Sequence, residues 1–284
     1  MYHFKSNTVK KSIKAFFLFL LVMICAAEAQ AQGRKIIYLQ SYDKAPYHFG
    51  FLLGANFMDY NLIVKENYQD IVYTDPQILH NSALPQIDGE DYGINFSESE
   101  FGSYQIIGIE RNSSIPRVGI SIGLIGDLRL SEHCNLRLSP TFSLSEINYR
   151  YTIQINQKDG SHILKHPGSH NPNLCCVEFP LHLKYRSKRY NNVAAYLLSG
   201  LNPKLYFTAR KKNQNIDWLK NKAGDVALEL GSGFDIYNQW FKMGIEAKFG
   251  FGLLNALDDG QVYYYAQPIK GMRNKYFQVS LTIE

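Results

Sequence analysis

The sequence predicts an all-β fold, an eight-stranded antiparallel up-and-down transmembrane β-barrel of the outer-membrane kind, and three observations carry that prediction. An export signal opens the chain, segments of period two recur after it, and the connections between those segments alternate between short and long.

The signal comes first. Lys10, Lys11 and Lys14 precede an apolar run from Ala15 to Ala27, and Ala27-Glu28-Ala29 or Ala29-Gln30-Ala31 supplies a small-x-small cleavage site. The run is too short for a membrane span, which needs roughly 20 apolar residues. A lipoprotein signal at Cys25 is disfavoured because Ile24 stands where a small residue is wanted. The expected layout is a signal peptide over 1–31, a periplasmic segment over 32–46 and the barrel over 47–284. Cleavage removes Lys5, Lys10, Lys11, Lys14 and Glu28, so the formal charge of +5 falls to about +2. No basic surface for nucleic acid is implied.

The period-two segments follow in order. His48 to Met58 sets Phe49, Phe51, Leu53, Ala55 and Phe57 against Gly50, Leu52, Gly54, Asn56 and Met58. Val118 to Leu130 sets Ile120, Ile122, Leu124 and Leu128 against Ser121, Gly123, Asp127 and Arg129. Asn135 to Tyr151 begins with Leu136, Leu138, Phe142 and Leu144 against Arg137, Ser139, Thr141 and Ser143. The clearest is Cys175 to Arg186, where Val177, Phe179, Leu181, Leu183 and Tyr185 alternate with Glu178, Pro180, His182, Lys184 and Arg186. Asn192 to Phe207 is the least regular. Asp225 to Asp235, Phe241 to Phe251 and Tyr276 to Glu284 complete the set, with glycines on the inner face that fit a narrow lumen. Eight is an even number, as a single-chain bacterial barrel requires.

The connections give an independent reading. They are long at about 61–117, short at 131–134, long at 156–174, short at 187–191, long at 208–224, short at 237–240 and long at 254–274. Outer-membrane barrels pair short periplasmic turns with long external loops. A water-soluble barrel would bury the apolar face inside and has no reason to sort its loops this way. Aromatic residues near strand ends, namely Phe49, Tyr185, Tyr206, Phe207, Phe241, Tyr276 and Phe277, point the same way, as a girdle at the membrane interface. Tyr and Phe are abundant at 20 and 17 while mean hydropathy is −0.23, which excludes a polytopic helical membrane protein. Pro140 and Pro180 each withdraw a ladder donor, so a bulge or bend is expected at each. Tyr104 to Arg111 alternates well enough to extend the second strand into an external hairpin.

Parity directs twelve charges inward: Asp127, Arg129, Arg137, Glu178, Lys184, Arg186, Asp225, Glu229, Asp235, Lys242, Glu246 and Lys248. Six are positive and six negative. Because an eight-stranded barrel is just wide enough for its side chains, these charges are expected to pair and close the lumen rather than line an ion path.

Residues with possible chemistry are few. Ser169-His170, and His182 near Glu178, are the nearest to a nucleophile with a base, but sequence adjacency is not triad geometry, and no catalytic residues are assigned. His162, His166, His170, Cys175 and Cys176 are ligand types for a transition metal, yet Pro167 and Gly168 keep the histidines off one helical face, so no metal or cofactor is assigned. Cys134, Cys175 and Cys176 remain after cleavage, an odd number that cannot form a full disulfide framework, and Cys134 belongs to the opposite rim. The first long connection mixes Asp75, Asp88, Glu90, Asp91, Glu98 and Glu100 with Tyr73, Tyr92, Phe96 and Phe101. Loops this long are usually functional or disordered, and this one is the preferred interaction site for a partner or surface polysaccharide.

Several fragments, taken in order, carry a family likeness. Tyr47-His48-Phe49-Gly50-Phe51, Gly126-Asp127-Leu128-Arg129-Leu130, Asn135-Leu136-Arg137-Leu138-Ser139-Pro140, Val177 to Tyr185 and the closing Leu281-Thr282-Ile283-Glu284 together resemble the PorT family over nearly all of the mature chain. The resemblance implies an integral outer-membrane barrel of Bacteroidetes tied to type IX secretion and, in gliding species, to motility. The expected function is therefore a non-enzymatic assembly or accessory component of protein export, with outer-membrane lipid and other type IX components as partners. A small-solute porin is the alternative, and an outer-membrane enzyme the third.

Overall fold

In a computed structural model, the residues described are 36–74, 101–111, 117–147, 149–165, 169–170, 173–207, 222–257 and 268–284. The chain divides into Met1–Tyr38 and Leu39–Glu284. Only residues 36–38 of the first unit are described, so the signal peptide expected over 1–31 lies outside the described residues.

The second unit is built of strands, in chain order β1 (Tyr47–Val64), β2 (Phe101–Arg111), β3 (Val118–Arg129), β4 (Cys134–Leu138), β5 (Thr141–Glu146), β6 (Tyr149–Gln157), β7 (His162–Lys165), β8 (Ser169–His170), β9 (Asn173–Glu178), β10 (Leu181–Arg186), β11 (Val193–Phe207), β12 (Gly224–Tyr237), β13 (Lys242–Gly252) and β14 (Ile269–Ile283). Antiparallel pairing runs β1–β14–β13–β12–β11–β10–β4–β3, and β3 returns to β1. The sheet has no free edge. Two staves of the ring are each made of two strands, β4 with β5 and β9 with β10, which leaves a ring of eight.

Both interruptions fall at proline. The expected bulges do not form: Leu138 faces Leu181 before the breaks and Thr141 faces Glu178 after them, so no residue is inserted on either side. What is lost is hydrogen bonds. The Leu124 N–H donates to the Pro140 carbonyl, Ser139 to Pro180, and Phe179 to Pro203, but no proline can donate in return. The Thr141 hydroxyl fills one gap, donating to the Ser139 carbonyl at 2.7 Å. Pro203 sits inside β11, the segment whose pattern is least regular in sequence, yet β11 alternates exposed and buried residues along its length.

Alternation fixes which face is which. On β1, Phe49, Phe51 and Leu53 point outward, with Phe49 78% exposed, while His48, Leu52, Gly54, Asn56 and Met58 are shielded or buried. The same division holds around the ring, with Leu181, Leu183, Leu197, Leu230, Ile245, Phe249 and Leu281 outside. An apolar outer wall of this kind is stable only against lipid, and a closed ring leaves no unpaired edge within it. At its upper limit Phe249, Phe277 and Phe57 form a ring stack, with centroids 4.7 and 6.2 Å apart, and Asp59 pairs with Lys275 at 3.6 Å one step beyond. Two of the expected girdle aromatics are instead inside: Tyr206 and Tyr276 are 6% and 5% exposed. Their parity matches the inner set, and proximity to a strand end does not override it.

The connections 130–133, 187–192 and 238–241 are short and lie at one end of the ring, and the strand ends at Val64, Phe207, Gly224, Gly252 and Ile269 stand at the other. By the rule for outer-membrane barrels the short end is periplasmic. Above the opposite rim, β2 prolongs β3, β6 prolongs β5, and the two pair from Phe101↔Gln157 to Arg111↔Tyr149. The predicted external hairpin is therefore present, and β7 and β8 add to its free side to make a four-stranded sheet.

Candidate functional site

The lumen offers the strongest concentration of chemistry. Arg137 on β4 faces Asp127 on β3 and holds it at 2.8 Å, and the same guanidinium reaches Glu284 at 2.7 Å and Glu246 at 3.3 Å. Arg137 is 1% exposed. Its planar, five-donor head can serve three carboxylates at once, which an ammonium could not do in one plane. Lys242 also pairs with Glu284 at 2.6 Å, and Lys184 pairs with Asp235 at 2.8 Å under the Tyr196 ring.

Further up, Glu229 takes His182 at 2.5 Å, Lys248 at 3.4 Å, the Asn202 amide at 2.7 Å and the Tyr276 hydroxyl. Asn202 also donates to Glu178 at 2.7 Å, and Lys204 pairs with Glu178 at 3.2 Å. Charges removed from water are tolerated only when paired and hydrogen-bonded in this way. Glycines make the room: a Cβ at Gly233 would lie 2.5 Å from the Tyr196 ring, and one at Gly250 would run into Tyr276.

With Asp225, which stands outside the network and leaves one oxygen without a hydrogen-bond partner, ten of the twelve charges directed inward by parity are buried. Arg129 and Arg186 are not. They sit at the periplasmic rim, where Arg129 bonds the Lys44 carbonyl at 3.3 Å and Arg186 pairs with Asp43. Sequence reading missed Lys204, because Pro203 beside it obscured the alternation of β11, and missed Asp43 and the reach of Glu284. His182 and Glu178 are both internal but are not partners, since His182 is taken by Glu229 and its Nδ1 has no hydrogen-bond partner. Ser169 and His170 form the short β8, away from them.

The outer end of the lumen changes character. Met58, Tyr60, Ile269, Met272 and Tyr276 from the ring form one apolar cluster with Tyr104, Ile106, Tyr151, Ile153 and Ile155 from the external sheet. Tyr73 stacks on Tyr104 at 5.0 Å and Phe101 is buried, so these two aromatics of the first long connection pack inward. Its acids from Asp75 to Glu100, with Tyr92 and Phe96, lie outside the described residues. The other face of the sheet is uncharged in its middle, with Ser103 opposite Asn156 and Gln105 opposite Gln154.

The expected metal ligands do not come together. His162 is exposed on β7, His166 is outside the described residues, and Cys175 and Cys176 point to opposite faces of β9. No cluster of three or more ligand residues occurs among the described residues, where Cys134, Cys175 and Cys176 are free thiols.

At the periplasmic end, residues 39–46 cross the mouth through a short 3-10 turn at Tyr42–Lys44. The segment touches His48 on β1, Arg129 on β3, Arg186 on β10, Tyr237 on β12 and Lys242 on β13, which stand on different sides of the ring. The lumen is thus filled by paired charge in the middle, covered by apolar side chains above and crossed by a strap below.

Comparison with known proteins places this architecture. A family model described as "Outer membrane protein beta-barrel domain" matches residues 30–258. No curated protein matches the chain. Among solved structures, the outer membrane protein OprG from Pseudomonas aeruginosa aligns with a TM-score of 0.34 and 10% identity, over 82% of this chain and 95% of that one.

Proposed function

The chain belongs to the outer membrane protein β-barrel domain family, and from that premise we propose that it is a non-conducting, non-enzymatic barrel that serves protein export across the outer membrane as an assembly or accessory component of the type IX machinery. The observation that carries the first half is the closed lumen, in which Arg137, Lys184, Lys248, Glu229 and Glu246 fill the bore with mutually paired side chains. A bore of eight strands leaves no room for a folded cargo even without them. The export half rests on the likeness of the strand fragments to the PorT family. On this reading the protein acts through its surfaces, the external sheet on one side and the periplasmic turns on the other.

Two measurements test it. Purified protein in planar bilayers gives no steady conductance, and deletion of its gene traps export cargo in the periplasm. Normal export in the deletion strain removes the secretion role, and a large stable conductance puts a small-solute porin in its place.

A further inference from the structure

We propose that Leu39 to Pro46 is a releasable strap, an intramolecular ligand whose Tyr42–Asp43 pair occupies a basic and aromatic receptor at the periplasmic mouth and keeps water from the charged floor of the lumen. The receptor is built independently of the strap. Arg189 lies over the Tyr237 ring at 3.7 Å and donates to the Asn191 carbonyl at 2.9 Å and the Asn192 side chain at 3.0 Å, which fixes it on a turn that Asn191 makes with φ 54. Arg186 donates to the Tyr237 hydroxyl at 2.7 Å. Into this frame the strap sends one carboxylate: Asp43 takes Arg186, accepts the Tyr237 hydroxyl at 2.8 Å and lies 3.8 Å from Arg189. It also sends one ring, Tyr42, stacked on His48 at 4.2 Å and edge-on to Tyr237 at 6.3 Å, with Lys242 at 5.1 Å.

Tyr42 reads the floor directly. Burial and the carboxylates of Glu284, Asp127 and Asp235 push its phenol well above the ordinary tyrosine range. Those carboxylates and their partners Arg137, Lys184 and Lys242 are all buried while the strap is in place.

The way the strap is held makes it releasable. None of the turn residues Tyr42–Lys44 is fully buried, and the apolar hold of the turn is the half-buried Tyr42 ring on His48. Its carbonyls are held by single bonds: His48 Nε2 to Tyr42 at 2.7 Å, Arg129 to Lys44 at 3.3 Å, Arg189 to Leu39 at 3.3 Å and the Arg129 amide to Pro46 at 2.9 Å. Leu39 carries φ 49, a left-handed conformation that a branched side chain resists, so release also relieves strain. Segments with few buried apolar contacts occupy the low-stability end of a native structure and open locally while the core stays closed. Once vacated, Arg186, Arg189, Tyr237 and His48 form a site for a carboxylate next to an aromatic ring, and the partner they fit is an acidic, aromatic peptide segment. This inference stands on the mouth alone and does not depend on the export role.

Hydrogen exchange on the unaltered protein in detergent tests release without a substitution. The amides of Tyr42, Lys44 and Ala45, bonded only within the turn, exchange at least a hundredfold faster than those of β1. Equal protection would mean that the strap opens only when the barrel unfolds, and would overturn the proposal. Floor access is read with Thr282→Cys, a buried inner position whose hydroxyl has no partner, the other cysteines being replaced by serine. A charged thiosulfonate reagent modifies this thiol at least tenfold faster when Asp43→Asn is added, and Asp43→Glu restores protection. A peptide spanning residues 39–46, added in excess, slows modification in the Asp43→Asn protein. Unboiled gel mobility confirms that each variant is folded, and equal modification rates across folded variants would overturn the latch.

Discussion

Arg137 and Asp127 face each other directly across the β3–β4 ladder, 2.8 Å apart, with neither side chain open to solvent. The pair is the root of a charge network in which removal of the cation strands Asp127 and leaves Glu284 and Glu246 each with one remaining cation, Lys242 and Lys248.

Arg137→Ala therefore destabilises the barrel by roughly 3–5 kcal/mol, the cost of leaving a buried pair half-broken. The check is the urea midpoint for loss of the fast-migrating unboiled band. Adding Asp127→Asn and Glu246→Gln to Arg137→Ala recovers part of the loss, because fewer charges are then left alone. A single variant as stable as the parent would show that the network is not holding charge as described.

A charge on the outer wall acts by a different route. Ile245→Arg places a guanidinium against lipid at a cost of about 2–4 kcal/mol near mid-membrane and blocks assembly, whereas Ile245→Leu folds normally. Folding yield into vesicles measures this. Lys184→Gln, which parity alone would class as mild because it faces inward, is not mild here: it abandons Asp235 and the Tyr196 ring.

That contrast shows how much of the fold was legible and where legibility stopped. Side-chain alternation is a local property, so Phe49, Leu181 or Ile245 could be assigned to the outer wall from their neighbours alone. Partnership is not local. His182 stands four residues from Glu178 yet bonds Glu229 on another strand, because ring closure and register decide which inner groups meet. Asp43 gave no periodic signal at all, since its place depends on where a nonrepetitive segment crosses the mouth. The inward turn of Tyr206 and Tyr276 was available from parity and was obscured by their position near strand ends.

The prolines make a ranked prediction. Pro140→Ala and Pro203→Ala return donors to the Leu124 and Phe179 carbonyls, while Pro180→Ala returns one to Ser139, whose carbonyl Thr141 already serves. Each hydrogen bond contributes about 0.5–1.5 kcal/mol, so the first two variants are more stable than Pro180→Ala by about 1 kcal/mol. Urea midpoints measured side by side check the order, and in a Thr141→Val background the three gains become equal, because Ser139 then also lacks a donor.

Space at the inner face gives the fourth prediction. Gly250→Ala drives a methyl group into the Tyr276 ring, an overpacking worth about 1–3 kcal/mol. Trimming the ring with Tyr276→Leu removes the collision, so the double variant loses less than the two single losses added together. Strictly additive losses would place the ring elsewhere.

The change of interior from paired ions to Met58, Tyr60, Tyr104 and Ile153 has a consequence for how the molecule is seated. Below that level the protein is sorted for oil outside and polar groups within; above it, for water outside and an apolar interior. The upper part can assemble its core only after its strands have crossed, and once assembled it presents backbone and amide groups that lipid will not accept. It behaves as the set head of a rivet, so the barrel cannot slide back toward the periplasm without first unfolding what lies beyond the outer surface.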